Sequence, residues 1–250
     1  MASVTVHRVE TARGELALRR DGEHYEIVSN GVFLMDTRNG ESERRLARVA
    51  LAGRQGPVRL LLGGLGVGFS LAEALRSAAP AEVTVVEVEP ALVGWHRGGG
   101  PLQPFSAGGL TDPRVAVVVA DLAEWLPSAD DRYEAICLDV DNGPEWTVTE
   151  RNAELYTGAG LAALDRRLAP GGTLAVWSSA AAPAFERRLR SRYAEVTVHT
   201  VPVPRGEPDV IYRARDRRVA PAARPGSAPG RVPSRSTGTR SAAGGPDRTP

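Results

Sequence analysis

Short apolar runs that alternate with segments of helical spacing constrain this 250-residue chain more than any other feature. Each run is rich in Val, Ile and Leu, as expected of a buried strand. Buried strands that alternate with helices form a parallel sheet covered by helices on both faces. The pattern therefore predicts an α/β fold with a doubly wound sheet. The runs lie at residues 57–64, 82–89, 114–121, 133–140 and 171–179.

Two further strands are predicted in "AEVTVHTVPV" and "DVIYRAR". These segments are close enough in sequence to form an antiparallel pair. A seven-stranded, mostly parallel sheet that ends in such a pair is typical of the Rossmann-like fold of S-adenosylmethionine-dependent transferases.

The first 40 residues follow a different pattern. Polar and apolar residues alternate around Asp21-Gly22 and Asn30-Gly31, which are strong hairpin signals. They predict a small N-terminal antiparallel β-hairpin region, followed by a helix that ends at Gly53. We therefore divide the chain into a hairpin region (1–40), a Rossmann-like nucleoside-binding catalytic domain (41–213) and a tail (214–250).

The predicted tail is composed mainly of Pro, Gly, Ser, Ala and Arg and is expected to be disordered, because it cannot bury enough apolar surface to offset its ordering entropy. It carries eight Arg and two Asp, so residues 1–213 have a net charge near −5 although the whole chain has +1. This acidic balance argues against nucleic acid as a partner of the domain.

Several classes of protein are excluded by what the sequence lacks. The chain contains no Lys, which rules out Lys Schiff-base chemistry and the P-loop lysine. No metal-ligand spacing occurs, so we expect no metal. No apolar stretch is long enough to span a membrane and the N-terminus lacks a signal peptide, which together predict a cytoplasmic protein with no membrane partner.

A glycine-rich loop follows the first long apolar run, in "LLLGGLGVGFSLAEAL". Glycine lets a backbone turn tightly and approach a ligand, and the free N–H groups of a following helix attract negative charge. The spacing does not match the dinucleotide pattern G-x-G-x-x-G. It matches a loop that holds an adenosyl-sulfonium group, formed here by Gly63, Gly64, Gly66 and Gly68.

Acidic residues stand at the ends of the next predicted strands. Glu87 can accept both ribose hydroxyl groups of a nucleoside. Asp121 can accept a hydrogen bond from an adenine amino group, or it can simply cap the next helix. Because ligands bind outside the carboxyl ends of parallel strands, the glycine loop and these acids are expected to converge on one crevice.

The segment "AICLDVDNGPEW" adds Asp139 and Asp141 at a third strand end. In extended geometry the two carboxylates would face the same side. Such a pair can hold a cationic substrate, and one member can accept its proton. Asp141-Asn142-Gly143-Pro144 is also good turn chemistry by itself. Trp146 is a candidate substrate contact above the crevice, and Tyr156 either reaches the site or packs.

Together these blocks resemble the spermidine/spermine synthases, the polyamine aminopropyltransferases, over residues 14–213, and they indicate a divergent, spermidine synthase-like branch. The resemblance implies decarboxylated S-adenosylmethionine as co-substrate, a small-molecule amine as acceptor and a possible homodimer formed through the N-terminal sheet. It assigns the ribose to Glu87, the adenine to Asp121 and deprotonation of the attacking amine to Asp139.

The chain departs from the family pattern at two places that concern substrate binding. Gly66 stands where the family's glycine loop carries an Asp that fixes the donor's ammonium, and Ser42-Glu43 stands where a Tyr-Gln or Tyr-His pair is expected. Two alternatives to aminopropyl transfer therefore remain open. One is a methyltransferase that uses intact S-adenosylmethionine, and the other is a catalytically silent nucleoside-binding homologue.

Overall fold

The structure is a computed structural model that describes residues 3–147 and 150–218. Residues 219–250, most of the predicted tail, lie outside the described residues. Two sheets and seven α-helices make up the described part of the chain. The strands are β1 Val4–Thr11, β2 Gly14–Asp21, β3 His24–Ser29, β4 Val32–Asp36, β5 Val58–Gly63, β6 Pro80–Glu87, β7 Val115–Val119, β8 Tyr133–Leu138, β9 Leu168–Ser178, β10 Tyr193–Val201 and β11 Asp209–Arg217.

Helices connect the strands of the larger sheet in the order that the sequence predicts. Two short 3-10 helices, Gly109–Thr111 and Glu154–Tyr156, lie in the connections. The α-helices are α1 Glu41–Leu51, α2 Phe69–Arg76, α3 Pro90–Trp95, α4 Leu122–Ser128, α5 Glu150–Ala153, α6 Gly158–Arg167 and α7 Pro183–Arg192.

The smaller sheet is an antiparallel meander in the order β1-β2-β3-β4. Its second and third hairpins turn at Asp21-Gly22 and Asn30-Gly31, as the sequence predicts. Asn30 and Gly31 both have a positive φ, which is the conformation that a tight two-residue hairpin turn requires. Leu16, Leu18 and Ile27 bury one face of this sheet in the core that also contains α1.

The larger sheet has seven strands in the order β10-β11-β9-β8-β5-β6-β7. The strands from β9 to β7 are parallel, and β11 is antiparallel to both β9 and β10. The predicted fold class is therefore confirmed. The order reverses between β5 and β8, and ligands of doubly wound sheets bind beside such a reversal.

The last strand extends beyond the predicted domain boundary. β11 runs to Arg217, and Ala214 is fully buried between β9 and β10. The sheet therefore continues past residue 213, where the sequence placed the start of the tail. Among the described residues, no helix is long and apolar enough to cross a membrane.

Candidate active site

The carboxyl ends of β5, β6 and β8 meet at one edge of the sheet. The Asp139 backbone N–H, just after β8, donates to the Gly63 carbonyl at the end of β5 over 2.9 Å. The Gly64 N–H donates in turn to the Val86 carbonyl of β6, also over 2.9 Å. The parallel register thus places the glycine loop between Glu87 on one side and Asp139 on the other.

The glycine loop needs glycine at the positions that approach its neighbours. Gly64 has φ +98°, and a Cβ there would stand 2.3 Å from the Asp139 carbonyl oxygen. Gly68 has φ +94° and precedes α2, where a Cβ would meet Ser106 and the His96 ring at under 3 Å. A side chain at either position would push the loop away from its supports.

A buried histidine that the sequence did not single out supports the same loop. The His96 Nε2 atom lies 2.9 Å from the Gly66 carbonyl oxygen, and its Nδ1 atom lies 3.1 Å from the Ser106 hydroxyl. Its side chain is fully buried, and this burial lowers the pKa of the imidazole. A neutral imidazole therefore fixes the loop. Its spacing in the sequence indicates neither metal ligation nor catalysis, so no sequence pattern predicts that His96 supports the loop.

Glu87 is a buried acid, and each oxygen of its carboxylate accepts a hydrogen bond from the backbone. Its two oxygens accept hydrogen bonds from the Leu65 N–H over 2.9 Å and from the Glu89 N–H over 2.8 Å. Burial raises the pKa of Glu87, and these backbone donors act against that rise. The carboxylate thus ties the glycine loop to the turn after β6. Each oxygen keeps a lone pair for a further donor.

Asp121 caps α4, which was one of the two roles left open by the sequence. Its Oδ1 atom accepts the Ala123 N–H over 2.9 Å. Its Oδ2 atom lies 3.4 Å from Nη2 of Arg13, a residue of the turn between β1 and β2. Arg13 also approaches Glu89, whose Oε2 atom is buried without a hydrogen-bond partner among the described residues. The adenine contact of Asp121 stays a prediction.

Asp139 differs from Glu87 in having no donor. No described residue donates a hydrogen bond to its carboxylate, which lines a narrow crevice together with the glycine loop from Leu65 to Phe69. Burial raises the pKa of Asp139 to about 7, and the negative charges of Asp209 and Glu87 add to the rise. A carboxyl group in this state can take up a proton near neutral pH.

Asp141 does not continue the extended strand, so strand alternation does not describe its position, and its catalytic role stays a prediction. Its φ is +63°, in the left-handed region, because the segment turns immediately after Val140. Its Oδ1 accepts the Asn142 N–H, and its Oδ2 accepts the Asn152 side-chain amide over 3.1 Å. These contacts show Asp141 in the role of a turn residue.

Tyr156 is buried and packs, which was the other role considered for it. Its hydroxyl group donates to the Val140 carbonyl over 2.7 Å, and its ring packs edge-on against Phe185. The contact holds the backbone between Asp139 and Asp141.

Trp146 lies beyond that turn with 65% of its surface exposed. The substrate contact of Trp146 stays a prediction.

Two acids that the sequence reasoning did not assign to the site join Asp139. Glu43 of α1 lines the same crevice, and Asp209 begins β11. Because β11 is antiparallel, its first residue reaches the edge where β9 ends, as the pairing of Val210 with Ser178 shows. The Ser42 hydroxyl donates to the Asp209 carboxylate over 2.5 Å.

A larger hollow of about 340 Å³ lies at the opposite ends of α1 and α2 and includes Leu51 and Ser77. Its one acid, Glu73, is paired with Arg48 and Arg76. It therefore offers no free reactive group.

The described residues also contain no group of three metal-ligating side chains in an arrangement that could hold a metal ion.

Curated relatives match between about half and four fifths of the chain. Polyamine aminopropyltransferase 1 of Streptomyces coelicolor is 37% identical over 133 residues, which are 53% of this chain and 24% of the relative. The polyamine aminopropyltransferase of Mycobacterium tuberculosis is 30% identical over 203 residues, which are 78% of this chain and 38% of the relative. No protein-family model matches.

Solved structures show the same fold. A spermidine synthase crystallised with the transition-state analogue AdoDATO superposes with a TM-score of 0.70 at 18% identity, over 85% of this chain and 73% of that one. The curated relatives and this fold indicate the same family. The chain belongs to the spermidine synthase family. It spans between about a quarter and two fifths of the length of the two curated relatives described above.

Gly66, the loop position where the resemblance implies an acid, lies against the smaller sheet. Gly66 has φ +52°, and a Cβ there would stand 2.9 Å from the Met35 sulfur atom. Met35 lies on β4, so a side chain from the smaller sheet packs beside position 66. The acids that line this crevice are Glu43 of α1 and Asp139 after β8, and the charge of Asp209 on β11 raises the pKa of both.

Proposed function

We propose that the chain transfers an aminopropyl group from decarboxylated S-adenosylmethionine to an amine acceptor. The observation that supports this most directly is the Asp139 carboxylate, which lacks a hydrogen-bond donor among the described residues and lines a crevice against the glycine loop. The homologues named polyamine aminopropyltransferase support the reaction type.

The nucleoside of the donor fits the side of the site that is formed by β5 and β6. The glycine loop lets the backbone approach a ligand closely, and Glu87 retains lone pairs for ribose hydroxyl groups. The unpartnered Oε2 atom of Glu89 marks a further buried acceptor nearby. These residues would hold the nucleoside while the sulfonium faces Asp139.

Asp139 would supply the base. The acceptor amine attacks the methylene carbon bonded to sulfur, the new C–N bond forms, and the C–S bond breaks with its electron pair passing to sulfur. The proton lost by the nitrogen goes to Asp139, whose raised pKa makes it a stronger base than an ordinary aspartate. Holding both reactants in line supplies up to about 7–11 kcal/mol of the barrier reduction.

A methyltransferase reaction has less support. The acid that is usual in the first sequence motif of that class would stand at Leu62 in β5, which is buried and apolar here. Binding and turnover separate the three functions. Decarboxylated S-adenosylmethionine together with an amine should yield methylthioadenosine, whereas binding of the intact donor alone would favour methylation. Nucleoside binding without turnover of any amine would indicate a catalytically silent nucleoside-binding homologue.

We also propose that the chain forms a homodimer through its smaller sheet. Val4 and Val32 on its outer strands, together with Phe33, are each at least half exposed. Large apolar side chains exposed at both edges of one small sheet are typical of an interaction surface. Light scattering after size-exclusion chromatography should give twice the monomer mass, and a monomer at micromolar concentration would contradict the proposal.

A further inference from the structure

Glu43 occupies an unusual position for an acidic residue. It lies in the first turn of α1, yet it lines the crevice formed by the glycine loop and Asp139. Its neighbour Arg44 does not neutralise it by a salt bridge, because the Arg44 guanidinium stands over the Phe69 ring, 4.1 Å from the ring centroid. Among the described residues, no side chain donates a hydrogen bond to the Glu43 carboxylate.

The charges around Glu43 are mostly negative. Burial raises the pKa of Glu43 to about 8, and the charges of Asp139 and Asp209 add to the rise, while its own backbone N–H and the charge of Arg44 lower it. Asp139 in turn faces Asp209 and Glu87. Three acids, on α1, just after β8 and on β11, therefore lie close enough for their charges to interact, and of the three only Asp209 accepts a side-chain hydrogen bond from a described residue, that of Ser42. Such burial of like charges is costly unless a cation joins them.

The loop wall opposite Glu43 has no acid of its own. Position 66 is a glycine with a positive φ, and the Met35 sulfur fills the space beside it. Met35, Glu43, Gly66 and Asp139 all line this one crevice. A positively charged group seated against the loop would therefore meet Glu43 from one side and Asp139 from the other.

We propose that Glu43 is a substrate-binding residue that holds the alkylammonium group of a reactant opposite Asp139. The nearby negative charge of Asp209 adds to the attraction for this group. This inference rests on the proposed function. It names the group that takes the place of an acid in the glycine loop. The ammonium belongs either to the aminopropyl arm of the donor or to the acceptor amine, and both present the same chemistry to Glu43.

Calorimetric titration of the full chain with three ligands tests this role. Methylthioadenosine is a nucleoside without an ammonium group, decarboxylated S-adenosylmethionine carries one, and putrescine added with methylthioadenosine represents the acceptor. Glu43→Gln should weaken binding of one ammonium-bearing ligand by roughly ten- to a hundred-fold, the usual effect of losing a hydrogen bond to a charged group. Methylthioadenosine affinity should change less than about two-fold, since no ammonium is involved.

Glu41→Gln is the matched control, because Glu41 lies on the same helix, is half exposed and pairs with Arg48. It should change none of the three affinities. Which ligand loses affinity in Glu43→Gln identifies the source of the ammonium, and loss for either one supports the proposal. Unchanged binding of both, or an equal loss of methylthioadenosine, would overturn it. Wild-type chain that binds no nucleoside would instead overturn the proposed function.

Proton release provides a readout that a purely structural role would not change. A cation bound between Glu43 and Asp139 lowers both raised pKa values, so wild-type chain should release protons on binding at pH 7. Titrations in two buffers of different ionisation enthalpy measure this release. It should fall in Glu43→Gln and persist in Glu41→Gln, and equal release in all three proteins would contradict the proposal.

Discussion

Glu87 and Asp139 are two buried acids at the same edge of the same sheet, but their surroundings differ. Two backbone N–H groups donate to the carboxylate of Glu87, one to each oxygen, whereas no described residue donates to that of Asp139. An acid that is held by backbone organises the structure, and an acid without donors is left to act on a ligand. The nucleoside side of the crevice is therefore built in advance, and the amine side is completed by the substrate.

The largest effect is expected on the rate of transfer when Asp139 is replaced. Asp139→Asn should lower the transfer rate by roughly 100- to 10,000-fold, because the amide cannot accept the proton of the amine. Methylthioadenosine affinity should change little, since the nucleoside side stays intact. Steady-state rates and calorimetric titration measure the two quantities. Full turnover in this variant would remove Asp139 from the role of base.

Substitution of the other acid should affect stability as well as binding. Glu87→Gln leaves one of the Leu65 and Glu89 N–H groups facing an amide nitrogen in place of an oxygen. We expect a loss of about 1.5–3 kcal/mol in the free energy of unfolding and weaker methylthioadenosine binding. Urea denaturation at pH 7 gives the first value. A stability equal to that of wild type would show that the carboxylate does not organise the loop.

The pH dependence of stability sharpens the same comparison. The pKa of Asp139 rises from 3.8 to about 7 on folding, so between these values the folded chain holds a proton that the unfolded chain has lost. The contribution of Asp139 to stability therefore falls as the pH rises through this window. Relative to wild type, Asp139→Asn should gain at least about 1 kcal/mol between pH 4 and pH 8. Urea denaturation at several pH values tests this, and parallel curves for the two proteins would contradict it.

Substitution of Arg13 should have the smallest effect, and this effect is on methylthioadenosine binding. Its guanidinium contacts the Asp121 carboxylate, where an adenine amino group is proposed to bind. Arg13→Gln should therefore tighten methylthioadenosine binding by no more than about five-fold, as expected for a partly exposed ion pair. The gain should shrink in high salt. Weaker binding in the variant would indicate that Arg13 contacts the nucleoside directly.

The sequence predicted the elements that local pattern controls. Apolar runs, Gly spacing and the acids at strand ends located Gly64, Glu87 and Asp139, because parallel strands bring their carboxyl ends to one edge. Sequence pattern could not place Glu43 or Asp209 in the site, since one reaches it from a helix and the other from the start of an antiparallel strand. The left-handed conformation of Asp141 depends on a turn that strand alternation does not describe.

The most direct test of the central claim is the pKa of Asp139 itself. Carbon NMR of chain labelled at the aspartate carboxyl groups, with the signal assigned by its loss in Asp139→Asn, follows that titration. We predict that the Asp139 carboxyl group titrates near pH 7 in the ligand-free protein. Titration near its ordinary value of 3.8 would show that the Asp139 carboxylate is solvated or paired like any other, and would contradict its role as the base.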